Sequence, residues 1–486
     1  MGGFESLAPS HGPRDYVRGL FVAARDRFRY NRSEPVIPPG DHLTSPSPIQ
    51  PADNASHPRS WLRRVAWCEP FWVFAVGLLL LLPPRFLPAS PESLIAAGRP
   101  ELVLLLLLGW PVRRMAYGHF TRRTPLDWPL VLLILWLPIS LLASADQALS
   151  WEAAGYLIFG AALYFSLLNW PPAQRRPQII AWLLLMLGVA LAIATPLLSE
   201  LAIDKLFQIQ PLEQLFQQLA SQVPGNVNAN RVAGTLVLIA PLAVALFIRW
   251  DWSSQRWRPV LCGLAALLML VVLVLTQSRN AYLAIAIAVA VILLLRWPRL
   301  LIVLPVVLLI GAVVVWRIGL PATLDAFLSG GALSGLDVRL ELWSRAWSAL
   351  NDFAFTGIGI GTFEKVIPVM YPLFSIGPDV QITHAHNLFL QVGLDLGVPG
   401  LIAYLALLLN TLVMLAKALR QRASALDWAL AAGAVGGVVA MLVHGLFDAP
   451  VWGVKPAFIP WLLIALSMLV GLRAADRRQL NKDSAP

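Results

Sequence analysis

The sequence predicts an all-α polytopic membrane protein with about 12 transmembrane helices, and three observations carry that expectation. Of its 486 residues, 58% are hydrophobic and only 13% are charged. The apolar residues gather in runs that approach the roughly 20 needed to cross a bilayer core. Arginines gather in alternate connections between those runs, which orients a membrane chain by the positive-inside rule. The formal net charge of +10 is thus read as a topology signal that meets anionic headgroups. Nucleic acid is not an expected partner, because the chain shows no basic groove or interleaved aromatic platform.

Residues 1–66 form a basic tail ahead of the first apolar run. Between Arg14 and Arg32, Tyr16, Val17, Leu20, Phe21, Val22 and Phe28 alternate with Arg18, Arg25, Arg27 and Arg29. This pattern suits either a helix on the inner leaflet or a solvated segment. The Pro, Ser and Asp content from Ser33 to Pro58 reads as a disordered linker. No cleavable signal peptide is expected, since the first long apolar run follows Cys68 and lacks a small-residue cleavage pattern. Cys68 and Cys262 fall near expected cytoplasmic helix ends and support neither a disulfide framework nor a cysteine metal site.

Nine spans are expected within 67–316, at about 70–87, 93–112, 126–143, 151–169, 178–197, 232–249, 259–276, 279–296 and 299–316. A long outward loop, 317–396, separates them from three more at about 397–416, 428–446 and 457–472, and residues 473–486 form a closing tail. Arg63, Arg64, Arg113, Arg114, Arg122, Arg123, Arg175, Arg176, Arg249, Arg256, Arg258, Arg296, Arg299, Lys417, Arg420 and Arg473 all fall on one side. That side is the cytoplasm, and both termini lie on it.

The outward connections hold the unusual polar residues. The apolar spacing between Leu201 and Leu219 suits a helix, in the outer interface or on the end of the bundle. The 317–396 loop runs through a Gly/Ser-rich piece near Ser329–Gly335 and a helix at Val338–Leu350. It then passes Gly357-Ile358-Gly359-Ile360-Gly361, read as a tight turn because no strand precedes it. It ends on Thr383-His384-Ala385-His386-Asn387, the one place where two histidines and an amide meet. Asn230 and Arg231 precede one span, Arg279 opens another after a very short turn, and His444 and Asp448 close a third. All belong to the outward side, so an active site at that membrane boundary is expected.

The residue types suit particular chemistry. An arginine such as Arg279 grips phosphate oxygens with a planar fork, or else snorkels to lipid headgroups. Arg339 stands on an amphipathic helix beside Glu341, where its position taken alone favours an ordinary surface role. An imidazole titrates near neutrality and can take a proton from a hydroxyl. His384, His386, His444 and Asp448 could share a metal only with supporting geometry, and no zinc-type spacing occurs, so no metal or other cofactor is expected.

His386-Asn387, nine further residues, then Gly397-Val398-Pro399-Gly400, resembles the H-[N/S/Q]-x9-G-x-x-[G/T/Y] signature of the O-antigen ligase and O-antigen polymerase superfamily. Ser278-Arg279-Asn280-Ala281, Asn228-Ala229-Asn230-Arg231, the Arg339–Trp343 helix, the Gly357–Phe363 turn and His444–Asp448 also look like that superfamily. The likeness covers roughly 226–472; the first spans share only hydropathy, and the tail to about Arg64 lies outside it. The resemblance implies a GT-C-type glycosyltransferase with a long periplasmic loop. Such an enzyme moves a glycan from undecaprenyl diphosphate to an acceptor hydroxyl, with inversion and without a metal. His386 would be the base. Arg279, Arg339 and Arg231 would bind the diphosphate, with His384, Asn387, Asn230, His444 and Asp448 in support. Ligation onto lipid A-core or a similar surface acceptor is the leading expectation. A polymerase, a protein O-oligosaccharyltransferase and a lipid or glycan transporter are the rivals. The sugar, the acceptor, the oligomeric state and the role of the tail are not legible.

Overall fold

The computed structural model describes residues 57–81, 100–199, 227–249, 256–328, 336–375, 380–421 and 424–483, with Gln214 and Gln218 besides. The tail before His57, the 201–219 segment apart from Gln214 and Gln218, and the Ser329–Gly335 piece lie outside these residues. Among the described residues every regular element is helical. They are α1 (His57–Trp67), α2 (Glu69–Leu81), α3 (Pro100–Leu107), α4 (Gly109–Tyr117), α5 (Asp127–Leu142) and α6 (Gln147–Leu168). Next come α7 (Pro171–Arg175), α8 (Gln178–Leu198), α9 (Ala229–Arg249), α10 (Trp257–Leu275), α11 (Arg279–Arg296) and α12 (Leu304–Ile318). The rest are α13 (Leu320–Leu328), α14 (Leu336–Asp352), α15 (Phe363–Met370), α16 (Leu388–Arg420), α17 (Ala425–Gly445) and α18 (Phe458–Asp483).

Nine helices among the described residues are long and apolar enough to cross a membrane, and α1 with α2 makes ten if that bent pair counts as one span. The nine coincide with the fourth to twelfth expected spans. The first three behave differently. α2 covers the described part of the first expected span, and α1, which precedes that span, meets it at a bend of 53°. The second falls on the two short helices α3 and α4. α5 has 16 residues, or about 24 Å of rise, short of a bilayer core of about 30 Å.

Small residues bring the central helices together, as expected where apolar association alone gives no preference in lipid. On α17, Gly433 faces Leu242, Gly436 faces Pro241 and Ile292, and Gly437 faces the Leu238 carbonyl. On α9, Gly234 faces Pro450 and His444. α6, apolar on every side, is buried almost throughout, and Asp146 caps it by accepting from the N–H groups of Ala148 and Leu149. α12 is the opposite case: equally apolar, it buries no residue.

The long loop is a built layer. α14 contributes Leu342, Ala346 and Leu350, α15 contributes Phe363, Val366 and Ile367, and these close a separate core with Ile358, Ile382, Ala385 and Leu394. The expected helix at Val338–Leu350 is therefore present, slightly longer. The expected glycine turn is present too, with φ of +70°, +98° and +79° at Gly357, Gly359 and Gly361, values that side chains strongly disfavour. The tenth expected span, placed from Gly397, instead starts at Leu388, because Asn387 caps it there.

Candidate functional site

Chain direction puts the polar residues at one end. Ser150, at the start of α6, donates to the Ile360 carbonyl of the glycine turn at 2.6 Å, while α6 ends at Asn169 beside Arg122. α17 rises from Ser424 to His444, and Ile292 of α11 packs on Gly436. From that level Arg279 lies thirteen residues up α11 and His444 eight residues up α17, about 20 and about 12 Å toward the same end. Arg279 is half-buried there, and Asn230 is exposed at the start of α9.

The nine residues of the signature measure a distance along a helix. Asn387 Oδ1 accepts from the N–H groups of Phe389 and Leu390, both at 3.0 Å, and starts α16. Its Nδ2 donates to the Leu446 carbonyl at 3.0 Å, tying that start to the end of α17. Two and a half turns later the helix breaks at Gly397 (φ +69°), where a side chain would run into the carbonyls of Ala354 and Phe355. This close approach lets Val398 N–H reach the Ala354 carbonyl and Ile358 N–H reach the Leu394 carbonyl, each at 2.7 Å. The second glycine, Gly400, leaves room for Leu396. Asn387, expected in a supporting role, is a helix cap and an inter-helix clamp.

Between cap and break lies a polar network that the sequence reading did not single out. Buried Asp395 accepts from Trp452 Nε1 at 2.8 Å, Gln391 Nε2 at 2.9 Å and Gly361 N–H at 3.3 Å. Gln391 Oε1 in turn accepts from Ala385 N–H at 2.9 Å, and Trp343 Nε1 donates to the Ala385 carbonyl at 3.1 Å. The residue between the two histidines is thus held on both faces. The only advance signal was the four-residue spacing of Gln391 and Asp395 on one helical face.

The histidines meet Asp448. His384 Nε2 and His386 Nδ1 each lie 3.4 Å from Asp448 Oδ1, and their ring centres are 4.2 Å apart. His386 Nδ1 has no well-aligned hydrogen bond, although Asp448 is its nearest carboxylate. His386 N–H donates to His384 Nδ1 at 3.1 Å, which fixes His384 as the Nε2–H tautomer. Burial pushes the His384 pKa down to about 4, opposed by the Asp448 carboxylate and helped by the positive charges of Arg231 and Arg339. Burial disfavours ionised Asp448, but the three surrounding imidazoles, His386 foremost, outweigh it and hold the carboxyl well below its usual range. His386 has φ +47°, an uncommon left-handed conformation for a side-chain-bearing residue and a local source of strain.

Arg339 is buried, donates from Nη1 to the Phe447 carbonyl beside Asp448, and keeps an unpartnered Nε–H. His444 is fully buried, with neither ring nitrogen hydrogen-bonded. The structure thus brings His384, His386, Asn387, Arg339, His444 and Asp448 together, with Arg231 in electrostatic reach. Arg279 and Asn230 share the same end. His384, His386 and Asp448 also form the described group whose ligand atoms, all within 4.8 Å of one another, could hold a metal ion.

A helical membrane protein with a buried ionic cluster at one end is the class defined by these features. Residues 264–405 match the O-antigen ligase family. The match spans Arg279, Arg339, His384, His386, Asn387 and the Gly397–Gly400 break, and stops before His444 and Asp448. No curated protein matches the chain.

Proposed function

We propose that the protein is a glycosyltransferase of the O-antigen ligase type, which moves a glycan from undecaprenyl diphosphate onto an acceptor hydroxyl of lipid A-core or a similar surface acceptor. The observation that carries this reading is the approach of His386, which lies within the match to the O-antigen ligase family, to Asp448, which lies beyond it. A carboxylate on Nδ1 orients the ring and leaves Nε2 as the atom that can accept a proton. His386 takes the acceptor proton, and the acceptor oxygen forms its bond to the anomeric carbon. The bond from that carbon to the diphosphate breaks, and its electron pair leaves with the diphosphate. A single displacement of this kind inverts the centre. Arg339, Arg231 and Arg279 bind the diphosphate and neutralise its growing charge. Half-buried His384 and buried His444, both beside Asp448, and Asn387 keep the base in place, while Asn230 stands at the rim.

In this reading the chain sits in the bacterial cell membrane with both termini cytoplasmic and the histidine end outside, in a GT-C-type architecture of about twelve crossings. Its partners are the carrier-linked glycan, a glycolipid or glycan acceptor and membrane lipid, and it uses no cofactor. The test is to incubate the purified protein with carrier-linked oligosaccharide and each candidate acceptor and to weigh the products. A shift confined to lipid A-core supports ligation. A ladder from carrier-linked glycan alone supports a polymerase, a modified protein acceptor supports protein glycosylation, and no covalent product supports a transporter.

A second reading, a divalent ion on His384, His386 and Asp448, is favoured by the closeness of their ligand atoms. Transfer that survives chelation excludes it, whereas activity lost to EDTA and restored by one metal would replace the metal-free mechanism.

A further inference from the structure

The end of the bundle opposite the histidines carries a second candidate site. α7, the short helix between α6 and α8, is flanked by two cavities that share Pro171. One, of about 430 Å³, is lined by Trp67, Pro172, Arg175, Arg176 and Ile179. The other, of about 420 Å³, is lined by Tyr117, His119, Thr121, Arg122, Asn169 and Gln174. Both volumes fall within the roughly 300 to 1,000 Å³ of ordinary ligand sites. Arg175 and Arg176 are exposed, and neither forms an ion pair among the described residues. Arg122 is paired with Asp476 at 2.7 Å. No acidic residue lines either cavity.

The wall beside the arginines is aromatic. Trp67 stacks edge-on against Trp170 at 6.1 Å, and Phe71 does so at 5.5 Å; yet Trp67 is 44% and Phe71 56% exposed. Trp67 closes α1, which is bent by 53° from the span that follows and exposes Arg63 and Arg64 as well as Trp61. A basic amphipathic helix turned off the span axis, ending on half-exposed aromatics, is suited to the plane of a membrane surface. The cavity thus offers fixed cations and apolar rings side by side, which is the pattern of a phosphate joined to acyl chains.

We infer that the Trp67–Arg175–Arg176 cavity binds the headgroup of an anionic phospholipid, with the arginines on its phosphodiester and its chains along Trp67, Phe71 and Ile179. The proposed orientation is what makes this an inner-leaflet lipid, but lipid retention can be measured without it. The full chain in detergent micelles would be titrated with phosphatidylglycerol or with phosphatidylcholine of the same chains, and bound lipid read by native mass spectrometry. Soluble glycerol 1-phosphate forms a third arm. Phosphatidylglycerol should be retained at least about 10-fold more tightly than phosphatidylcholine, and Arg175→Gln with Arg176→Gln should weaken it by on the order of 10-fold. Lys417→Gln with Arg420→Gln removes the same charge at the same end, away from the cavity, and should change retention by less than about 2-fold. His386→Ala should bind lipid like the parent even if no transferase activity is ever found. Equal loss in the control pair, undiminished binding in the Arg175/Arg176 variant, or equal competition by glycerol 1-phosphate would overturn the assignment.

Discussion

The two ends of the bundle use ionisable residues in opposite ways. At the histidine end, Asp448, His444 and Arg339 are buried and His384 and His386 half-buried, and the groups answer one another within one small volume. At the arginine end most cations are exposed, among them Arg63, Arg64, Arg175 and Arg176, where screening makes each worth little to the fold. The same residue types therefore carry chemistry where burial makes their interactions strong, and orientation where it does not. The most deeply buried exception is Arg113 with Glu69, which meet at the arginine end with side chains only 1% and 3% exposed; Asp427, 8% exposed between Arg473 and Arg477, is a second.

The largest effect should come from the histidine end. His386→Ala removes the proposed base, so turnover should fall by about 10² to 10⁴ while binding of labelled carrier-linked glycan stays close to that of the parent. Arg279→Lys keeps the charge but loses the planar fork, so it should weaken donor binding first. Normal turnover in His386→Ala would return that residue to a purely structural part in its strained turn. A donor affinity unchanged in Arg279→Lys would return that arginine to a lipid contact.

The buried pair sharpens the comparison next. Arg113→Gln leaves the Glu69 carboxylate buried without its partner and should cost roughly 3 to 5 kcal/mol. Arg113 Nε also donates to the Phe120 carbonyl at 2.7 Å, so part of the loss is a backbone contact. Melting of the purified chain should drop accordingly, and adding Glu69→Gln should recover a share of it. A loss no larger than that of an exposed pair would mean that water reaches Glu69.

What the sequence could and could not say follows the same divide. The gathering of polar residues at one end, the glycine turn and the helix at Val338–Leu350 were readable, because each depends on local pattern or on counting crossings. The helix start at Leu388 was missed because Gly397 and Pro399 looked like a beginning, whereas the cap at Asn387 overrides them. The hold on Ala385 joins Trp343, Gln391, Asp395 and Trp452, residues brought together only by folding. Among the described residues the third expected span came out short and the second is divided between α3 and α4, because apolar runs set hydropathy without fixing where a helix turns.

Acid should separate the members of the cluster. His384 is depressed from 6.5 to about 4, so above about 6.5 both folded and unfolded chains hold it neutral. As pH falls from about 6.5 to about 4 the unfolded chain takes a proton that the folded one refuses, and stability declines by at most about 3 kcal/mol. Asp448, also depressed, acts lower, losing its contribution as pH falls below about 4. In His384→Asn the side-chain oxygen can still accept the His386 N–H while nothing titrates. Its melting temperature should therefore be flatter than the parent's between pH 6.5 and 4, and identical slopes would show that His384 is not the group responsible.

The smallest effect should come from the exposed pair at the arginine end. Arg122 meets Asp476 at 2.7 Å, close enough for a good hydrogen bond, but the two side chains are 33% and 60% exposed. Solvent competes for both charges, and holding two flexible side chains costs entropy, so such pairs contribute about 0.2 to 1 kcal/mol. Arg122 has another attachment that this substitution spares, since its backbone N–H donates to Asn169 Oδ1 at 2.9 Å. Asp476→Asn should therefore shift melting only slightly, and less in 0.5 M salt than in low salt, because screening already weakens the parent's pair. Arg113→Gln should keep its full loss at both salt concentrations, because its partner lies out of reach of ions. If Asp476→Asn instead destabilised the chain as much as Arg113→Gln, with no dependence on salt, exposure would not be what distinguishes the two pairs, and the contrast between an end built for chemistry and an end built for orientation would lose its physical basis.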